Sequence, residues 1–126
     1  MTAFRTPLKN ARGLGSAKGG IEHFILQRVT AAANIVLIAF LVYAALHLVG
    51  ASRAEVKEFF SQPWAAVLGI LLAFSVSIHM RIGMRVIIED YVYGGTKVLL
   101  LLLNTFVSFF VGAAIFLAVT KLYLGV

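Results

Sequence analysis

Three long runs of apolar residues, separated by two short polar connections, dominate the chain. The first runs from about Thr30 to Val49 without a charged residue. At a rise of about 1.5 Å per residue, such a run matches a hydrocarbon core of roughly 30 Å. The second starts near Trp64 and keeps a helical pattern to about Tyr91. That is longer than the bilayer core requires, so its last two turns are expected to project into the interface. The third runs from about Val98 to Leu122 and stays uncharged until Lys121. The pattern therefore predicts an all-α membrane protein with transmembrane helices over about 28–50, 64–91 and 97–123.

The connections carry their own signals. Ile21 to Arg28 mixes apolar and ionisable groups, as expected of a helix start lying in the headgroup zone. Ser52 and Glu55 have capping-box spacing, which predicts a short surface helix ending near Pro63, with Phe59, Phe60 and Trp64 as interfacial anchors. Gly94 and Gly95 break the apolar pattern, and Thr96 is the expected cap of the third span. No internal repeat is visible.

Composition agrees. With 61% hydrophobic and 13% charged residues and a mean hydropathy of +0.97, the chain has too little polar surface to coat a water-soluble globule of 126 residues. Residues 1–20 are expected to form an extended or partly disordered, basic cytoplasmic tail, and residues 21–126 a single three-helix anchor domain. The tail reads as a mature N-terminus, because no apolar h-region precedes residue 23 and helical amphipathicity of the transit-peptide kind is weak. The net charge of +6 reads as membrane orientation and not as nucleic-acid binding. Arg5, Lys9, Arg12 and Lys18 precede the first span, the charges of the first connection cancel, and Arg81, Arg85 and Lys97 surround the second. The positive-inside rule then predicts a cytoplasmic N-terminus and a periplasmic C-terminus.

The absence of cysteine removes disulfides and thiolate-held clusters, so any metal chemistry falls to histidine. His79 is the one ionisable side chain clearly embedded in a span, and Gly83 follows one turn on along the same face. A neutral imidazole there can coordinate haem iron, with Gly83 leaving room for a flat macrocycle. It can equally be a packing residue hydrogen-bonded across helices. His47 and His23 lie at opposite interfaces and fail as a second axial ligand at that depth, so a bis-histidine haem would need a ligand from another chain. Asp90 and Tyr91, about three turns from His79, pair a carboxylate with a phenol that could hydrogen-bond a quinone; the plain alternative is an interfacial tyrosine beside a helix-end acid. Arg28, Arg81 and Arg85 suit haem propionates or lipid phosphates, and Arg81, Arg85 and Glu89 fall at i,i+4 spacing.

Two blocks resemble one family: His23-Phe24-x3-Arg28-x-Thr30-Ala31 and His79-x3-Gly83-x6-Asp90-Tyr91. Both are similar to the smaller hydrophobic membrane anchor of succinate dehydrogenase (succinate:quinone oxidoreductase, respiratory complex II), whose three-span layout also agrees. The resemblance implies that His79 is an axial ligand of one haem b shared with a companion membrane anchor, which supplies the second haem ligand. It implies that Gly83 and Arg28 lie in the haem environment, and that Tyr91 and Asp90 serve the ubiquinone site. It further implies partners on the cytoplasmic side, an iron-sulfur subunit and a flavoprotein subunit that oxidises succinate in the tricarboxylic acid cycle. The chain itself would be a non-catalytic subunit of the bacterial inner membrane. A quinol:fumarate reductase anchor and a haem-free small transporter or assembly protein are the alternatives.

Overall fold

The computed structural model describes residues 6–13 and 20–126. Every regular element among them is an α-helix: α1 (Pro7–Arg12), α2 (Gly20–His47), α3 (Arg53–Ser61), α4 (Pro63–Tyr91) and α5 (Gly95–Leu124). Helices α2, α4 and α5 have 28, 29 and 30 residues and are each long and apolar enough to cross a membrane. At about 1.5 Å per residue they reach some 42–45 Å, which covers the hydrocarbon core and both headgroup zones. The expected three spans are therefore present, each extended at its ends by interfacial turns.

Local chemistry sets the boundaries. Pro7 and Pro63 occupy first-turn positions, where a missing N–H costs nothing. The expected capping box forms: the Ser52 N–H donates to Glu55 Oε2 at 2.7 Å and the Glu55 N–H to Ser52 Oγ at 3.4 Å. Two expectations are corrected. Within the tail, residues 7–12 are helical, because the Thr6 hydroxyl accepts the Lys9 N–H at 3.2 Å and so caps a turn that proline has begun. Residues 1–5 and 14–19 of that tail lie outside the described residues. Thr96 does not cap α5; Gly94 does, at a φ of 74° that favours glycine, and Thr96 falls inside the first turn.

Helix α4 is the centre of the layer. It packs against α2 on one side and α5 on the other, whereas the backbones of α2 and α5 do not approach each other among the described residues. Both pairings are antiparallel: Thr30 meets His79 and Phe40 meets Trp64, while Gly69 lies against Val119 and Ser77 against Gly112. The α4–α5 contact rests on small residues. A Cβ on Gly69 would lie 3.1 Å from Val119, and one on Gly112 only 2.5 Å from Ser77 Oγ, so the backbones approach closely, as membrane helices do where side chains are small. Asn104 Nδ2 adds a hydrogen bond of 2.9 Å to the Arg81 carbonyl. At the other seam Phe40, Ala44, Phe59 and Ala65 form the apolar cluster. Phe59 is thus buried between α2, α3 and α4, its ring 5.4 Å from that of Trp64, and not an interfacial anchor as its position beside a span suggested. Lys57 Nζ donates to the Gly125 carbonyl at 2.9 Å, so α3 and the C-terminus share one end of the layer. The start of α2, Asp90, Tyr91 and Lys97 share the other.

Candidate functional site

His79 sits sixteen residues after Pro63 and twelve before Tyr91, about 24 Å and 18 Å along α4. It faces α2. Its Nδ1 lies 3.1 Å from Oγ1 of Thr30, a residue only 6% exposed. The Thr30 hydroxyl also lies 2.8 Å from the Leu26 carbonyl and 3.2 Å from that of Gln27. One turn deeper, Ser75 Oγ donates to Asn34 Oδ1 at 2.6 Å, and it stands 3.4 Å from the Thr30 carbonyl. One turn the other way, a Cβ on Gly83 would come 3.4 Å from Gln27 Nε2. The Oε1 of Gln27 is buried without a hydrogen-bond partner among the described residues.

These contacts make a polar seam inside an apolar layer. Gln27, Thr30 and Asn34 recur at intervals of three and four on α2, and Ser75, His79 and Gly83 at intervals of four on α4, so one face of each helix supplies the seam. In lipid, an unpaired polar group has no water to turn to, and each interhelical bond of this kind is worth about 0.6–2 kcal/mol. Sequence reasoning assigned roles to His79 and Gly83 but none to Gln27, Asn34 and Ser75. Their signal was available as polar residues at helical spacing within apolar runs.

The remaining candidates are dispersed. Arg28 is exposed, its guanidinium 5.1 Å from the centroid of the Phe24 ring. Arg85 pairs with Glu89 at 2.8 Å, as the i,i+4 spacing predicted, whereas Arg81 makes no ion pair among the described residues. Tyr91 is 79% exposed at the last turn of α4, and the backbone carbonyl of the exposed Asp90 accepts the Tyr93 hydroxyl at 3.4 Å. His47 stacks on Tyr43, ring centroids 5.8 Å apart, and packs against Phe59, while His23 is exposed. Neither comes near His79.

This distribution decides what a metal group could find here. Among the described residues no three His, Cys, Asp or Glu gather, so a metal ion held wholly by this chain does not fit. A group taking one neutral nitrogen from this chain and another from a second chain does fit. His79 is partly exposed at the seam and uses only Nδ1, so Nε2 is unengaged among the described residues. The glycine and the unpaired Gln27 oxygen lie one turn away. A pocket of about 470 Å³ lies elsewhere: it runs between α4 and α5, lined by Phe74, Phe106, Phe109 and Phe116 with Arg81, and His79 does not line it.

Comparison with known proteins gives a consistent picture. Residues 2–120 match the family described as succinate dehydrogenase/fumarate reductase transmembrane subunit. A succinate dehydrogenase hydrophobic membrane anchor subunit of Paracoccus denitrificans is 31% identical over 120 residues, covering 95% of this chain and 93% of the relative. Subunits of the same description from Rickettsia bellii (strain RML369-C) and Rickettsia conorii (strain ATCC VR-613 / Malish 7) are 32% and 33% identical, each over 71% of both chains. No solved structure matches the chain. On the strength of a match across nearly its whole length and of three apolar spans, the chain belongs to the family of succinate dehydrogenase/fumarate reductase transmembrane subunits, multi-pass proteins of the bacterial inner membrane.

Proposed function

We propose that the chain is one of two membrane anchors of a succinate:quinone oxidoreductase, that it shares a haem b with the companion anchor through His79, and that it contributes Tyr91 and Asp90 to a ubiquinone site. The observation that carries this reading is the placement of His79. It is an imidazole midway along a membrane-spanning helix, held by one ring nitrogen and with the other unengaged. An ionisable side chain at such depth is costly, and a functional role is the default expectation.

The chain's own residues would act as follows. His79 would offer the Nε2 lone pair to the haem iron, and the companion anchor would supply a second ligand. Arg28, exposed beside Gln27 at the mouth of the seam, offers its guanidinium to a propionate. Gly83 keeps the α4 backbone low beside the ligand. Haem b, when bound, supplies one-electron transfer close to the quinone. At the end of α4 the Tyr91 hydroxyl donates to a quinone carbonyl, and the Asp90 carboxylate beside it can hold and pass the protons that quinone reduction consumes. Both side chains are exposed, so neighbouring subunits must complete the walls of that pocket.

The layer also suits a partner. Because α4 lies between α2 and α5, it is α5 that is left most exposed, with only Ser108 and Val119 buried among its residues. The companion anchor and lipid cover that surface. Eight of the eleven Lys and Arg belong to the tail, the first third of α2 and the region around the α4–α5 connection. That asymmetry supports a cytoplasmic location for this end, with Tyr91, where the iron-sulfur and flavoprotein subunits dock. The family description also covers fumarate reductases, and the direction of the reaction belongs to the catalytic subunits and the quinone.

Dithionite-reduced minus oxidised spectra of the purified complex test the ligand assignment. Haem b bands are expected in the wild type and lost in His79→Ala. Their absence from the wild type would favour a haem-free transporter or assembly role, and their survival in the variant would defeat the assignment of His79 as a ligand. Tyr91→Phe is expected to depress quinone reduction at least tenfold while leaving succinate oxidation by a water-soluble acceptor intact; equal loss of both would refute the quinone role.

A further inference from the structure

The hydrogen bond to His79 is asymmetric in a way that bears on what the ring can do. A threonine hydroxyl has one proton to give and lone pairs to accept with. Thr30 Oγ1 lies closer to the Leu26 carbonyl, at 2.8 Å, than to His79 Nδ1, at 3.1 Å. A carbonyl can only accept, so the Thr30 proton belongs on that shorter contact, and the lone pair of Oγ1 is left facing the imidazole. The proton of this contact then sits on Nδ1, and Nε2 carries the lone pair. A metal-bound histidine is commonly oriented in this manner, with its remaining N–H donated to a fixed acceptor that sets the tautomer and ring plane and raises the basicity of the ligating nitrogen.

The acceptor itself is held firmly. Thr30 is buried, its carbonyl lies 3.4 Å from Ser75 Oγ, and the same Ser75 hydroxyl is anchored 2.6 Å from Asn34 Oδ1. Thr30 and His79 thus lie in one strip of polar contacts that locks α2 against α4, so the ring cannot turn without disturbing that strip. In the hydrocarbon core of a membrane, no solvent is at hand to replace the hydroxyl if it is removed.

We propose that Thr30 is the positioning residue of the axial ligand: it accepts the Nδ1 proton of His79, selects the tautomer with a free Nε2, and tunes the electron donation of that nitrogen to the iron. This rests on the haem-ligand reading of His79, and the experiment separates the two. Thr30→Val and Thr30→Ala delete the hydroxyl while differing in volume, and Thr30→Ser restores it. Each is made in the complete complex, and haem b content, midpoint potential and the low-spin electron paramagnetic resonance spectrum are measured beside the wild type and His79→Ala. With the acceptor gone, the imidazole becomes a weaker donor and oxidised iron is less stabilised. Both deletion variants should therefore show a raised midpoint potential, an altered low-spin spectrum and, following the usual cost of losing such a partner, haem retention weakened about 10–100-fold. Thr30→Ser should return all three to the wild-type values.

Wild-type potential and spectrum in both deletion variants would overturn the positioning role while leaving His79 a ligand. So would complete loss of the complex in both, with Thr30→Ser normal, since that outcome assigns the hydroxyl to helix packing. Haem b that persists in His79→Ala, or is missing from the wild type, would instead overturn the ligand reading, and the inference with it.

Discussion

Replacing Gly112 with alanine should open the seam between α4 and α5 and leave the one between α2 and α4 alone. A Cβ at this position would stand 2.5 Å from Ser77 Oγ, 3.1 Å from Ser77 Cβ and 3.6 Å from the Ala73 carbonyl. The hydroxyl can rotate away, but it then gives up its 2.6 Å bond to the Ala73 carbonyl, a loss of about 0.5–1.5 kcal/mol. The Cβ of Ser77 cannot rotate, so the helices must separate or strain, at an overpacking cost of about 1–3 kcal/mol. Together these give a destabilisation of about 1.5–4.5 kcal/mol. Equilibrium unfolding of the detergent-solubilised complex by a graded anionic detergent reads this directly, with Ser77→Gly and the double variant completing a cycle. Ser77→Gly removes both overlapping atoms and loses about 0.5 kcal/mol of helix propensity on its own, so the double variant should be more stable than the sum of the single changes predicts. The haem b spectrum proposed for the complex should be the same in Gly112→Ala as in the wild type, because His79 is not part of this contact. Wild-type stability in Gly112→Ala, or strict additivity with Ser77→Gly, would refute the close approach of the two helices.

Ser75→Ala removes the donor to Asn34 Oδ1 inside the membrane and should cost about 0.6–2 kcal/mol. Paired with Asn34→Leu in the same unfolding assay, it should show strong coupling, and independent effects would count against the bond. The Ser52 N–H, and secondarily its hydroxyl, holds the Glu55 carboxylate below the ordinary range at the start of α3. Because that carboxyl's folded value is depressed, the box contributes fully above the unfolded value of about 4.3 and is lost as pH falls through the folded value. The stability difference between wild type and Glu55→Gln should therefore be constant above pH ~5.5 and shrink in acid; a difference that grows in acid would contradict this. Reporter fusions at Val126 should be active only outside the cytoplasm, and a cytoplasmic signal would invert the proposed orientation.

Much of the architecture was legible in the amino-acid sequence, because the determinants were local. An uncharged run long enough to span hydrocarbon needs no partner to be recognised, and the Ser52 and Glu55 box closes within a single turn. Where a competing local preference existed, it decided the outcome: glycine tolerates the positive φ before α5 better than Thr96 could, and Pro7 with Thr6 made a helical turn in a stretch whose composition suggested none. Phe59 was misplaced for a different reason. Its neighbour in sequence is the membrane surface, but its neighbours in space are Phe40, Ala44 and Ala65.

By itself, then, the amino-acid sequence determined that there are three spans, that one of them carries an embedded histidine, and that an acid and a tyrosine follow it at the same helix's end. Which residues meet was decided only by tertiary structure. Helices that are apolar on every side have no amphipathic stripe to announce their packing face, so the central place of α4 could not be read from periodicity. The match of Gly112 to Ser77, and of Thr30 to His79, depends on the register of antiparallel neighbours that lie far apart along the chain. That register turned an isolated histidine into one whose Nδ1 lies 3.1 Å from the Thr30 hydroxyl, with its second nitrogen unengaged among the described residues.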